Sequence, residues 1–284
     1  MTQGWDLHCH TAFSDGTETP RTLMRRAKEL GLAGVAITDH DTTAGWQEAE
    51  EASREFGVPL LRGTEITAED GRVSVHMLAY QYDPRNQTIA QLFAATRAGR
   101  LARTKAMVEL LSRDFPITWD DVLAQVREGD RTTVGRPHIA DALVAAGVYR
   151  TRSEAFAQAV SASSRYYIPT PSPSTHEVVH AVGLAGGVTV VAHAGALARN
   201  PVLLSDAQIE ALVDEGLDGL EVWHRDNSPQ QRRRLLAICE RRGLLVTGGS
   251  DWHGAGKPNR LGENVTDDAT VQEIVRRGAI TLVR

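Results

Sequence analysis

Of the chain's ten histidines, six stand with three carboxylates in a handful of short motifs. His8 and His10 follow Trp5-Asp6-Leu7, and Asp15 comes soon after in Ser14-Asp15-Gly16. His40 lies in Thr38-Asp39-His40-Asp41, Glu65 in Gly63-Thr64-Glu65, and His76 after Val75. His193 follows Val190-Val191-Ala192, and the pair Asp251 and His253 follows Gly249-Ser250. On an extended strand, side chains at i and i+2 share a face, so each spaced pair makes a two-pronged platform for a cation. The loop after His10 is short enough to fold the Asp15 carboxylate back over the first platform. One such residue is more often a satisfied polar group than a ligand, but nine at equivalent places need a chemical reason.

The residue types narrow that chemistry. Six imidazoles and three carboxylates without a thiolate suit Mn²⁺, Fe²⁺ or Zn²⁺, and not Ca²⁺ or an iron–sulfur cluster. Nine ligands exceed what one tetrahedral ion takes. The set therefore implies two or three divalent ions, with Glu65 placed to bridge. Clustered ions of this kind hold a hydroxide and clamp phosphoryl oxygens during an in-line displacement.

The elements that must position these residues can be read from hydrophobic patterning. Trp5 to Leu7 is a short strand, and Pro20 to Leu30 a helix stopped by Gly31. Gly34 to Thr38 is a second strand, Thr43 to Phe56 a helix stopped by Gly57, and Val58 to Ile66 a third strand. Strands alternating with helices of this length imply βαβ units and a parallel sheet. Beyond Asp70-Gly71, Arg72 to Tyr80 is an added hairpin strand. The pattern then turns almost wholly helical: Thr88 to Ser112, Trp119 to Val126, His138 to Ala146 and Ser153 to Ser161. The Pro/Ser-rich stretch from Ile168 to Ser174 closes this insertion. Alternation resumes with Val188 to Ala192, Gly219 to Trp223, Leu244 to Thr247 and a last strand near Ile280. The expectation is an α/β barrel over 1–90 and 175–284, interrupted by a helical cap over 91–174. The nine ligands fall at or just beyond strand C-termini, the rim where α/β barrels carry their active sites.

Composition sets outer bounds. The 284 residues, 42% hydrophobic and 24% charged, suit one large barrel. No 18-residue apolar run and no basic-then-apolar leader is visible, so the expectation is a soluble, cytoplasmic chain without a membrane role. Two cysteines cannot build a disulfide framework. A net charge of −5 argues against general nucleic-acid coating. Between Arg97 and Arg165 there are 11 basic and 8 acidic residues, leaving −8 for the rest. A mildly basic cap over an acidic barrel suits an anionic substrate held above cations, although a solvated helical surface would carry the same charge.

The motifs Asp6-Leu-His8-Cys-His10, Ser14-Asp15-Gly16, Ile37-Thr-Asp-His40-Asp, Gly63-Thr-Glu65, Val75-His76, Ala192-His193 and Gly249-Ser-Asp251-Trp-His253 resemble those of the PHP (polymerase and histidinol phosphatase) family. The resemblance runs in order along nearly the whole chain. It implies a distorted (β/α)7 TIM-like barrel and a trinuclear Mn, Fe or Zn centre that hydrolyses phosphate esters by attack of a metal-bridging hydroxide. By resemblance His8, His10, Glu65 and Asp251 hold one ion, Glu65, His76 and His193 a second, and Asp15, His40 and His253 a third. Asp15 and Glu65 thereby become catalytic candidates.

The insertion, through Gly135-Arg136-Pro137-His138-Ile139-Ala140, resembles the bacterial branch that takes the 3′-phosphate from nucleoside 3′,5′-bisphosphates or trims short 5′-phosphorylated RNA. That branch makes Arg136, His138 and Arg165 candidate phosphate binders, although Pro137 is also ordinary helix-start chemistry. His224, after Glu221-Val222-Trp223, ends a further strand and is surplus to the ligand set. It is a candidate to protonate the leaving oxygen or touch phosphate, or to hydrogen-bond behind a ligand. Asp39 and Asp41 flank His40 and are candidates to orient it.

Two motifs are decoys. His176-Glu177-Val178-Val179-His180 matches the metalloprotease pattern, but Ser174 and Glu177 form a capping box that gives the glutamate a structural job. Gly254-Ala-Gly256-Lys257 lacks the spacing and the Ser/Thr of a phosphate-binding loop. Among rivals, an amidohydrolase with a carbamylated lysine is disfavoured because Lys28 and Lys105 lie in helices and Lys257 in a loop. A histidinol-phosphate or other small-molecule phosphatase and a non-catalytic metal- or RNA-binding module are the alternatives. The expected partners are a phosphorylated small molecule, nucleotide or short RNA, with no obligate protein partner.

Overall fold

The computed structural model describes residues 3–284, and among these local chemistry sets most element boundaries. Helix α1 (Pro20–Leu30) starts where Thr19 Oγ1 accepts the Thr22 N–H at 3.1 Å and stops at Gly31, φ 69°. Helix α2 (Trp46–Phe56) likewise stops at Gly57, φ 64°. Strands β1 (Gln3–Asp6), β2 (Leu32–Ile37) and β3 (Leu60–Asp70) run parallel. Strand β4 (Val73–Tyr80) turns back antiparallel to β3 and to β5 (Val188–Val191). Strands β6 (Gly219–Trp223) and β7 (Leu245–Gly248) continue in parallel. The order β1 to β7 is sequential, a seven-stranded, mostly parallel α/β sheet. Past the last strand ends the two edges meet: Trp252 N–H donates to the His8 carbonyl at 3.2 Å, and His10 N–H to the Trp252 carbonyl at 2.8 Å.

Alternation along the strands builds two apolar layers. Val35, Ile37, Leu60 and Met77 face the outer helices, packing on Leu23 and Met24 of α1 and on residues of α8 (Asp206–Asp214) and α9 (Pro229–Arg242). Their neighbours Ala36, Leu61, Leu78 and Tyr80 face the other way, with Val190, Leu245 and Val271 and Ile274 of α10 (Asp268–Arg277). Truncating such a buried Leu costs on the order of 2–5 kcal/mol.

Between β4 and β5 lie α3 (Gln87–Leu111), α4 (Trp119–Leu123), α5 (Arg136–Ala145) and α6 (Arg152–Ala157), with α7 (Thr175–Leu184) leading into β5. Helix α3 spans two cores. Its Ile89 and Phe93 join the barrel cluster, while Met107, Val108 and Leu111 join a second cluster with Val122, Ile139, Leu143 and Val160.

Two strand expectations need correction. The last strand expected near Ile280 reduces to one bridge between Val283 and Leu60, because Ala279 and Ile280 donate instead to the Gln81 carbonyl. Glu65 does not end β3. The strand runs on to Asp70 because antiparallel pairing with β4 carries it past the rim. No helix among the described residues is long and apolar enough to cross a membrane.

Candidate metal centre and the cavities beside it

All nine ligand candidates converge at one end of the sheet. His8, His10, His40, His193, Asp251 and His253 lie just past the C-terminal ends of β1, β2, β5 and β7. Glu65 lies in mid-β3, and His76 reaches the same end from antiparallel β4. The Glu65 carboxylate is the hub. Its oxygens lie 2.9 Å from His76 Nδ1, 3.1 Å from His10 Nε2, 3.2 Å from His193 Nε2, 3.3 Å from His40 Nδ1 and 3.4 Å from His8 Nε2. Three groups have ligand atoms close enough to share an ion: His8, His10, Glu65 and Asp251; His10, Asp15, His40 and His253; and His40, Glu65 and His76.

The residues fit divalent metals on their own geometry. Buried His40 Nδ1, Asp251 Oδ1 and His253 Nε2 make no hydrogen bond among the described residues, and a buried polar atom left unpaired is costly. Five imidazoles around one carboxylate cannot all be satisfied by it, and the nitrogen and oxygen donor set suits a borderline or hard divalent ion. Electrostatics in the cluster are polarised. Burial opposes the charged form of Glu65, yet His76, His8 and His40 hold it well below the usual carboxylate range. Burial also lowers His10, but the Asp251 and Glu65 carboxylates, 3.3 and 3.1 Å from its Nε2, outweigh it and bring His10 up to about 9. His193 is driven down to about 3 by burial and by Arg199.

A shell of carboxylates fixes the ligands. Asp39 accepts from Thr11 N–H at 2.7 Å, Thr11 Oγ1 at 2.6 Å and Ser14 Oγ at 2.6 Å, pinning the loop between His10 and Asp15. Asp41 accepts from Thr67 N–H at 3.0 Å and pairs with Arg100 Nε of α3 at 2.8 Å. Both aspartates therefore brace loops and not the His40 ring itself. Glu221, which the sequence reading passed over, lies 3.0 Å from His8 Nδ1 and accepts the His193 N–H at 2.6 Å. In the sequence it shows only as an acid within the otherwise apolar strand Gly219–Trp223, which does not name its partners. Gly249 makes room for this pair, since a Cβ there would sit 2.4 Å from His8 Cβ and 2.8 Å from Glu221 Oε1. Backbone strain gathers here as well: His193 (φ 31°) and Asp251 (φ 53°) occupy the left-handed region.

Two cavities flank the ligands. The first, about 580 Å³, is lined by Asp15, His40 and His76 together with Arg100, Arg103 and Arg136. The second, about 900 Å³, is lined by His76 and His193, by small apolar residues such as Ala194 and Ala196, and by Arg199 and Asn259. In the first, Arg100 pairs with Asp41 and Arg152 with Asp141. Arg103 and Arg136 have no carboxylate partner among the described residues. Arg103 Nε donates to the Ile168 carbonyl at 2.9 Å and Arg136 Nη1 to that of Val160 at 3.2 Å, and both guanidiniums lie near the Tyr167 ring. Burial, then Arg136 and Arg100, push Arg103 down to about 9.

Three expected site residues are not brought to either cavity. His138 is buried, and its Nδ1 accepts the Gly135 N–H at 3.2 Å, so the ring caps α5. Arg165 is held on the surface, 2.9 Å from Asp114 Oδ2 and 2.6 Å from the Tyr166 hydroxyl. His224 is buried behind His193, ring centres 5.7 Å apart, with Nδ1 accepting the Asp226 N–H and Nε2 unpartnered among the described residues. Burial drives it down to about 3, so the ring stands neutral with its one N–H on Nε2. The metalloprotease decoy resolves as read: Ser174 and Glu177 form the capping box, His176 bonds Glu215 at 2.7 Å, and His180 is exposed. Arg103, Arg199 and Lys257 line the cavities without standing among the sequence candidates, because single basic residues in loops and helices carry no spacing signal.

Comparison with known proteins fits this geometry. The PHP domain family matches residues 6–145. The chain is 30% identical over 252 residues to the 5′-3′ exoribonuclease Rnm of Salmonella typhimurium, covering 88% of this chain and 85% of that one. The chain belongs to the PHP family. It is 29% identical over 262 residues to the 3′,5′-nucleoside bisphosphate phosphatase of Chromobacterium violaceum, covering 90% and 89% of the two chains. A Bifidobacterium adolescentis crystal structure, provisionally assigned as a metal-dependent phosphoesterase, superposes with a TM-score of 0.97 at 73% identity over 98% of each chain. The PHP chain described here is thus a metal-dependent phosphoesterase, a phosphoric ester hydrolase on an α/β barrel scaffold. Its PHP relatives differ in substrate by name, so the substrate must be argued from the cavities.

Proposed function

We propose that this phosphoesterase removes the 3′-phosphate from nucleoside 3′,5′-bisphosphates, with two or three Mn, Fe or Zn ions held by the nine ligands and residues 91–174 forming a cap over the site. When bound, such ions supply the nucleophilic oxygen at neutral pH and neutralise charge on the phosphoryl group. The observation that carries the substrate reading is the cation surplus of the first cavity. Arg103 and Arg136, buried and half-buried and without a carboxylate partner among the described residues, line this cavity with the ligand candidates His40 and His76. A buried guanidinium without a counter-ion is costly, and a second phosphate on the substrate would supply one through charge-assisted hydrogen bonds. Tyr167 and Phe156 hold Arg136 in place, with its guanidinium carbon 5.5 and 5.6 Å from the two ring centres.

The size of the second cavity favours one further reading. A short 5′-phosphorylated oligonucleotide would place its terminal phosphate on the same arginines and run its remainder into the adjoining 900 Å³ space. The deciding experiment, with Mn²⁺ supplied, measures phosphate release from adenosine 3′,5′-bisphosphate, 5′-AMP and histidinol phosphate, and nucleotide release from a short 5′-phosphorylated RNA. Fast turnover of the bisphosphate alone supports the proposal. Turnover of histidinol phosphate alone overturns it and leaves a small-molecule phosphatase. Turnover only of 5′-phosphorylated oligonucleotides moves the assignment to the second reading.

A further inference from the structure

Asp251 carries more positive charge than it needs. Its Oδ2 lies 2.6 Å from Arg199 Nη1 and 2.9 Å from Lys257 Nζ. The two cations differ in what else they touch. Arg199 is clamped, since its Nε also pairs with Asp226 Oδ2 at 2.6 Å. Lys257 has no second carboxylate among the described residues, its side chain remains 31% exposed, and it lines both cavities together with the ligand candidate His76. An ammonium has three donors. One is spent on Asp251, which leaves two for a ligand in the cavities that Lys257 lines with His76.

The loop presents Lys257 from a rigid base. Gly254 takes φ 64°, Ala255 N–H donates to Thr17 Oγ1 at 2.8 Å, and Gly256 N–H to the His253 carbonyl at 3.1 Å. Gly256 packs so closely on Arg152 that a Cβ would sit 2.3 Å from Nη1. On the other side the Pro258 carbonyl accepts from Arg225 at 2.9 Å. The choice of lysine is informative in a chain with 28 arginines and 3 lysines. The other two serve surface packing, Lys28 on the Phe56 carbonyl and Lys105 over the Trp119 ring. A compact ammonium suits a single oxygen of a tetrahedral phosphate, where a planar fork engages two.

We propose that Lys257 is a catalytic residue that hydrogen-bonds the transferred phosphoryl group, lending positive charge to its oxygens as the P–O bond to the leaving group breaks. No proton leaves the ammonium in this role. The residue thereby gives a function to the Gly254-Ala-Gly256-Lys257 segment, which is no phosphate-binding loop by sequence. The proposal rests on the phosphoesterase activity and not on the choice of the bisphosphate as substrate.

The test compares wild type, Lys257→Met and Lys257→Gln, all loaded with Mn²⁺. It reads metal content, inorganic phosphate binding by calorimetry, and turnover of adenosine 3′,5′-bisphosphate and p-nitrophenyl phosphate. The glutamine variant keeps an N–H for Asp251 but not the charge. Both variants should retain the wild-type metal content, bind phosphate about tenfold more weakly and lose on the order of 10²-fold in kcat on every ester the wild type hydrolyses. Loss of metal in both variants would make Lys257 a support for Asp251 and overturn the proposal. A loss confined to the bisphosphate would overturn it too, by placing Lys257 on the second phosphate. So would unchanged phosphate binding and kcat. If wild type hydrolyses p-nitrophenyl phosphate and not the bisphosphate, the substrate reading fails while this comparison still decides Lys257.

Discussion

Glu221 Oε1 lies 3.0 Å from His8 Nδ1, on the far side of the ring from Nε2, which lies 3.4 Å from the Glu65 carboxylate. An imidazole that donates Nδ1–H to a carboxylate keeps its Nε2 lone pair free for a cation and gains basicity. The other oxygen of Glu221 accepts the N–H of His193, whose backbone sits at φ 31°. One side chain therefore sets the tautomer of one ligand and the strained backbone of another. Glu221→Gln keeps the shape but offers an amide in place of one acceptor. It should weaken metal binding about 10- to 100-fold, read as metal retained after dialysis against a graded chelator series. Unchanged retention would reduce Glu221 to packing.

How much of this was legible in the sequence depends on whether the signal was local. The spaced pairs His8/His10 and Asp251/His253 announce themselves because strand geometry fixes where i and i+2 point. Gly31 and Gly57 announce helix ends because a left-handed cap favours glycine. Glu221 was not legible, because its partners His8 and His193 lie 213 and 28 residues away. Arg165 misled because an exposed arginine in an insertion looks the same in sequence whether it faces a cavity or, as here, Asp114. His138 misled because a ring that caps its own helix and one that reaches a ligand share the same motif.

The ligand map itself is tested by a pair of histidines with opposite expectations. His8 belongs to a four-residue group with His10, Glu65 and Asp251. His8→Ala should abolish turnover and lower the metal content of the purified protein. His180, in the protease-like motif, is exposed on α7 and belongs to none of the three groups. His180→Ala should leave kcat and metal content unchanged. Near-normal activity in the first variant, or a large loss in the second, would redraw the site.

The two unpaired arginines of the first cavity give a substrate-dependent expectation. Hydrogen bonds to a charged group contribute about 1.5–3 kcal/mol each, roughly 10- to 100-fold in affinity. Arg103→Met should raise KM for adenosine 3′,5′-bisphosphate by about that factor and change p-nitrophenyl phosphate much less, since the simple ester has no second phosphate. The quantity to measure is the ratio of the two KM changes. A ratio near one would mean that Arg103 does not read the second phosphate. Arg136→Met should behave alike, with some loss of stability from its contacts to Phe156 and Tyr167.

Metal removal should make stability depend on pH in one direction. Without metal, burial lowers His10, yet Asp251 and Glu65 raise it to about 9, above its ordinary 6.5. A raised imidazole stabilises the fold below its unfolded value, and that stabilisation fades as pH climbs from about 6.5 through about 9. Metal ligation needs the neutral ring, so binding expels the proton and strengthens over the same interval. His193 and His253, at about 3 and about 4, stay neutral throughout and add no slope there. The gap in Tm between Mn-loaded and stripped protein, followed anaerobically from pH 6.5 to 9 at fixed free Mn²⁺, should therefore widen with pH. Calorimetric titration at pH 7 in buffers of different ionisation enthalpy should show net proton release on loading. A gap that narrows with rising pH, or loading without proton release, would mean that His10 is already neutral in the metal-free chain.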